Sequence, residues 1–205
     1  YMSDMTGSKA EALSDWARAH DRAFLRLDYS GCGASSGDFL DGSIGRWTDD
    51  ALALINHVWL NGKVVLVGSS MGGWIALLAG RALKDRLAGL VGVAAAPDFT
   101  VWGLKLGEAE RRQLEAQGFF TRPSDYGEPY RYSRTLIDDA RTHLLLDGQI
   151  GITALEQQAL GARFRDMPED HTTHRRLESP VGLIALEHQQ IRGAIGRNPE
   201  GARTC

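Results

Sequence analysis

One stretch, VVLVGSSMGGWIALLAG at residues 64–80, constrains the fold of this chain more than any other. An apolar, β-branched run ends in a cluster of glycine and serine, then resumes as an apolar segment with helical spacing. That pattern is a buried strand followed at once by a buried helix, the unit of a sheet covered by helices. The connection is so short that the turn must be sharp, and glycines allow the strand and helix backbones to approach. Gly68-Ser69-Ser70-Met71-Gly72 fits the pattern G-x-S-x-G, centred on Ser70. In a chain with 24 glycines such a pentapeptide also arises without chemistry. Here the setting matters: strand before, helix after, as a nucleophile elbow requires. A serine there projects at the top of the sheet, beside helix N–H groups and a dipole that favour a developing oxyanion.

The same alternation runs through the first half of the chain. Residues 9–19 carry Ala12, Leu13, Trp16 and Ala17 on one helical face, with Ser8 placed to cap it. Residues 24–28 read as a short buried strand running into the loop YSGCGASSG, and residues 47–60 as a helix. A second strand at 63–68, a helix at 74–83 and a third strand at 90–94 follow. The expected class is α/β, a mostly parallel sheet flanked by helices. After Phe99 the pattern changes: GEAERRQLEAQ reads as a charged helix, RPSDYGEPYRYS as a loop and 133–146 as a helix. The expected organisation is a core over 1–98, a helical cap over 99–147 and a divergent tail over 148–205. Within the tail, Val181–Leu186 reads as one more strand.

Composition narrows the partners. The net charge is −3 with the charges interspersed, so neither nucleic acid nor an anionic membrane surface is expected to bind. Cys32 and Cys205 make neither a disulfide framework nor a metal-ligand set, and no metal or cofactor is expected. Gly31, Gly33 and Gly37 miss the dinucleotide-binding spacing, and no GK[ST] of a phosphate loop occurs. No apolar run reaches the roughly 20 residues needed to cross a bilayer. The opening YMSDMTGSKA has no basic or apolar signal-peptide region, so a cytoplasmic location is expected.

DYSGCGASSG, GRWTDDA, VLVGSSMGGWIALL and LVGVAAAPDF, in that order, resemble the α/β-hydrolase fold superfamily. Within it they are similar to the branch of palmitoyl-protein thioesterases and mycophenolic acid acyl-glucuronide esterases, with their bacterial relatives. YMSDMTGSKA, PSDYGEPY and HLLLDGQI extend the likeness across about residues 1–150. The resemblance implies a serine hydrolase of esters or acyl thioesters, acting on a small-molecule or acylated substrate. Ser70 would be the nucleophile, and the backbone N–H groups of Met71 and Tyr1 the oxyanion hole. Asp28, Tyr29 and Gly31 fall in the loop beside the site, where a turn-shaping role is expected; Trp47 and Trp74 read as core.

Two departures from the family pattern stand out. The family begins with further strands before the residue matching Tyr1, so the fold reads as incomplete at its N-terminus. The family places a strand after the segment matching DGQI, ending in a loop with the catalytic Asp, and one more strand leading to the catalytic His; here GITALEQQALGARFRD follows instead. Other completions are Asp98 as the acid, just past the third strand, and His171 or His174 as the base, beside Asp170 and Arg175. Val181–Leu186 is followed only by Glu187, His188 and Glu200, which do not complete a triad. Three readings result: a working serine hydrolase, a remnant that keeps the elbow without the relay, and an acyltransferase or serine peptidase built on the same elbow.

Overall fold

The computed structural model describes residues 1–124, 127–148, 150, 152 and 181–186. Helix α1 (Ser8–Ala19) leads to β1 (Phe24–Arg26), α2 (Ile44–Val58) to β2 (Lys63–Ser69), and α3 (Met71–Leu83) to β3 (Leu87–Val93). An insert follows, made of α4 (Phe99–Trp102), α5 (Glu108–Gln117), β4 (Phe119–Arg122), β5 (Tyr130–Ser133) and α6 (Arg134–Ala140). The last described element is β6 (Val181–Leu186).

The strands β1, β6, β2 and β3 lie side by side in that order, all parallel. The strand expected at 181–186 is therefore present, but in the interior of the sheet. Leu183 lies opposite Phe24 on one side and Val65 on the other, and Leu186 reaches the level of Gly68. An interior parallel strand needs an apolar run, and VGLIAL, with Ile184 buried, supplies it. Val64 and Leu66 of β2 share one core with Ile44, Trp47 and Ile55 of α2 and with Trp74 and Ile75 of α3. Each such side chain, fully buried, stabilises the fold by about 1.5–3 kcal/mol relative to exposure.

Helix ends follow local chemistry. Ser43 caps α2 by accepting the Arg46 amide at 3.2 Å, and Ser133 caps α6 by accepting the Leu136 amide at 3.0 Å. At α1 the expected cap differs: Gly7 is the N-cap, and Ser8 is the first helical residue. Its buried face is also narrower than expected. Ala10 and Ala17 turn inward, small enough to let the helix lie close to its neighbours, while Trp16 is exposed and stacks on His20.

The insert is not purely helical. β4 and β5 form an antiparallel hairpin with Phe120 opposite Tyr132. Phe119, Phe120, Tyr130 and Tyr132 are strand-favouring aromatics, and the stack of Phe120 on Tyr132, 5.1 Å between centroids, adds to the ladder. Those cross-strand contacts override the loop signal of Pro123 and Gly127. Arg122 lies over both rings and pairs with Glu110 at 2.7 Å, fastening the hairpin to α5. Helix α6 ends at Ala140, short of the expected 146, and the following residues leave the helix to tie to Asp98 and Trp74.

Candidate active site

Ser70 stands between β2 and α3 with φ 54° and ψ −122°, a conformation that L side chains rarely adopt. Three backbone hydrogen bonds hold it there. Its amide donates to the Val93 carbonyl at 3.1 Å, and its own carbonyl accepts the amides of Gly73 at 2.9 Å and Ala96 at 3.0 Å. Glycine is required on both sides. A Cβ on Gly68 would lie 2.4 Å from the Gly72 carbonyl oxygen, and one on Gly73 would lie 2.4 Å from the Cβ of Ala95. The strained serine is thus fixed by the ends of both neighbouring segments, as strained residues at functional sites are. Ser70 is 7% exposed, and its hydroxyl makes no cap bond to α3. Met71 opens α3, so its amide is one of the helix's orphan donors.

Tyr1 enters an aromatic cluster. Its ring stacks on Tyr132, 4.8 Å away and 4° from parallel, and meets Phe39 edge-on at 5.0 Å. Phe99, three residues past the amide that holds the Ser70 carbonyl, is another neighbour. The Tyr1 hydroxyl donates to the Arg131 carbonyl, and burial holds its phenol well above the ordinary range. The hairpin of the insert therefore fixes the residue expected to supply the second oxyanion donor.

Asp98, expected as the acid of a relay, is committed elsewhere. It is 4% exposed, with φ 56°. Its carboxylate accepts the Leu145 amide at 2.9 and 3.0 Å and the Leu146 amide at 2.7 Å. Among the described residues no histidine meets it. The geometry is that of a latch between the end of β3 and the return of the insert. A second tie runs beside it: the Trp74 indole, one turn into α3, donates to the His143 carbonyl at 3.0 Å. Trp74 is core, as read from the sequence, but the use of its N–H as a tether was not legible there. His171 and His174 lie outside the described residues.

The loop after β1 has the expected turn-shaping character. Asp28 accepts the amides of Met5 at 2.7 Å and Ala34 at 3.0 Å, and a Cβ on Gly33 would strike its carboxylate. Trp47 donates its indole N–H to the Ser30 carbonyl at 3.1 Å. Burial pushes the Cys32 thiol up to about 11, so it is not a thiolate at neutral pH. Among the described residues no cluster of His, Cys, Asp and Glu is placed to hold a metal ion.

This combination of parallel sheet, covering helices and strained serine at a strand–helix turn is the architecture of an α/β hydrolase. The chain belongs to the Alpha/beta hydrolase family, whose profile matches residues 8–194 and so includes β6. Among curated proteins it is similar to "Palmitoyl-protein thioesterase ABHD10, mitochondrial" of Rattus norvegicus, 35% identical over 156 residues, 75% of this chain and 52% of that protein. The Homo sapiens counterpart is 35% identical over 155 residues, covering 74% and 50%. The chain thus spans about half the length of the curated relatives it matches. Among solved structures, a putative hydrolase from Agrobacterium vitis S4 superposes with a TM-score of 0.69 at 35% identity, over 92% of this chain and 77% of that one. Alpha/beta hydrolase domain-containing protein 10 from mouse gives 0.63 at 29% identity, over 92% and 78%. The curated relatives are named as mitochondrial, so the cytoplasmic expectation gains no support from them. Among the described residues no helix is long and apolar enough to cross a membrane.

Proposed function

We propose that this chain hydrolyses carboxylic esters or acyl thioesters through an acyl-enzyme on Ser70. The observation that carries this reading is the backbone of Ser70, φ 54° and ψ −122°, braced by Val93, Gly73 and Ala96. Strain of about 1–3 kcal/mol persists only where the surroundings over-determine it, and such residues concentrate at sites of chemistry. The Ser70 hydroxyl attacks the acyl carbonyl carbon, and the bond to the leaving alkoxide or thiolate breaks as a proton is delivered to it. Water then attacks the acyl-serine and releases the carboxylic acid. The N–H groups of Met71 and Tyr1 stabilise the oxyanion of each tetrahedral intermediate. The base is assigned to His171 or His174, which take the serine proton and return it to the leaving group. Asp98 is the sequence's candidate for orienting that base. The naming of the curated relatives as palmitoyl-protein thioesterases favours acyl thioesters among the substrates.

A second reading has its own observation. No described histidine hydrogen-bonds the Ser70 hydroxyl, and the Asp98 carboxylate is occupied by the amides of Leu145 and Leu146. A chain without a relay would keep the elbow as a remnant. Rates on a panel of p-nitrophenyl esters and acyl-CoA thioesters, for the wild type and Ser70→Ala, separate the two. Turnover lost in Ser70→Ala supports the hydrolase, and a wild-type rate equal to that of the variant supports the remnant.

A further inference from the structure

We infer that Met2 and Tyr132 are positioning residues, which together hold the Tyr1 N–H in place as an oxyanion donor. This rests on Ser70 and Tyr1 in the roles proposed above, and it gives the insert a part in the chemistry. The register of the hairpin creates the grip. Thr121 lies opposite Arg131, and the Thr121 amide donates away from β5, to the Gln113 side chain at 3.1 Å. Thr121 and Arg131 are thus a non-hydrogen-bonded pair, whose backbone groups point out of the ladder. Side chains of Tyr1 and Met2 take both outward groups of Arg131. Its carbonyl accepts the Tyr1 hydroxyl, and its amide donates to the Met2 thioether Sδ at 3.3 Å. Next along β5, the Tyr132 ring, 6% exposed, lies 4.8 Å from the Tyr1 ring and 4° from parallel.

The backbone of Met2 records the effect of that grip. Its φ is 60°, a left-handed conformation that is costly for a residue other than glycine and persists only where neighbours over-determine it. Turning Met2 back to an ordinary φ would swing Tyr1 relative to β5. The N–H···S bond from Arg131 and the stack on Tyr132 both oppose that turn. Ring contacts then join Tyr1 to the elbow. Tyr1 lies 6.4 Å from Phe99, and Phe99 meets Trp74 edge-on at 5.8 Å. Trp74 belongs to α3, the helix that begins directly after Ser70. An oxyanion donor acts by being in place before charge develops. A residue that fixes such a donor therefore contributes to kcat rather than to substrate binding.

The test uses the full chain and two readouts, kinetics on p-nitrophenyl butyrate and amide hydrogen exchange. Tyr132→Leu and Met2→Leu are each expected to lower kcat roughly tenfold or more with KM within about twofold, the pattern of a lost transition-state interaction. Tyr132→Phe keeps the stacked ring and is expected to stay within about twofold of the wild type. The Arg131 amide is expected to exchange faster in Met2→Leu, which lacks the sulfur acceptor. Glu110→Gln loosens the hairpin from α5 without touching Tyr1 or Met2, and as the control it is expected to keep kcat. Wild-type kcat in either leucine variant overturns the role of that residue. A kcat for Tyr132→Phe or Glu110→Gln as low as that of Tyr132→Leu assigns the loss to a loosened hairpin and overturns the inference. Unchanged exchange at Arg131 in Met2→Leu overturns the grip on Met2. A wild type that turns over no ester and takes no fluorophosphonate at Ser70 sinks the Ser70 reading itself, and the role of Tyr1 with it.

Discussion

The carbonyl oxygen of Ser70 accepts the amide of Ala96 at 3.0 Å, binding the turn after β2 to the loop after β3. Together with the Val93 carbonyl on the Ser70 amide, it holds the serine in a conformation its own side chain disfavours. Relief of that strain is measurable. Ser70→Gly and Ser70→Ala both remove the hydroxyl, but only glycine accepts φ 54° freely. Ser70→Gly is expected to be more stable than Ser70→Ala by about 1 kcal/mol, read as urea midpoints at equal m-value. The opposite order would mean that the serine backbone is unstrained.

Close approach of α3 to the loop after β3 gives the second expectation. A Cβ on Gly73 would lie 2.4 Å from the Ala95 Cβ and 2.8 Å from its Cα, so backbone would have to move. Gly73→Ala should cost about 1–3 kcal/mol. Gly148→Ala, where nothing lies within 4 Å, is the control and should stay within about 0.5 kcal/mol. A thermal melt of each settles the difference.

Asp98 separates latch from relay. Asp98→Ala strips the acceptors from the Leu145 and Leu146 amides, at about 1–3 kcal/mol for the buried Leu145 donor left unpaired. Asp98→Asn keeps one carbonyl acceptor and should fall between wild type and alanine in Tm, with kcat reduced less than about tenfold. A relay acid behaves differently: its Asp→Asn change leaves the geometry and removes about 10⁴ in kcat. Such a loss at unchanged Tm would return Asp98 to the relay.

The pair of Glu110 and Arg122 gives a pH dependence. The hydrogen bond from Arg122 holds the Glu110 carboxyl below its ordinary range, with Arg122 held above its own. A carboxylate depressed in the folded state stabilises it above the unfolded pKa, and that contribution fades as pH falls through the folded value. Glu110→Gln should therefore lower Tm at pH 7, with the gap to wild type closing below about pH 4. A gap that is constant across this range would show that the ion pair does not fasten the hairpin.

The elbow was legible because its information is local: β-branched strand, paired glycines and apolar helix all lie within residues 64–80. Asp28 was legible for the same reason, as a turn-former beside its own loop. The position of β6 was not. VGLIAL declares itself a strand, but parallel partners are chosen through long-range contacts that leave no mark in the six residues themselves. The hairpin of the insert was masked because Pro123 and Gly127 signal a loop. The evidence against that signal, Phe120 meeting Tyr132, exists only once the strands pair. The Asp98 latch depends on amides at 145 and 146, far along the chain, and an aspartate past a strand looks the same whether it orients a base or holds a backbone.

The central claim is that Ser70 is an activated nucleophile, and covalent capture tests it most directly. The folded chain is treated with a fluorophosphonate probe and the modified residue located by peptide mass spectrometry. The expected result is a single adduct on the peptide containing Ser70, absent from Ser70→Ala and from protein denatured before treatment. A folded chain that carries no adduct at Ser70, under conditions that label a known serine hydrolase to completion, contradicts it.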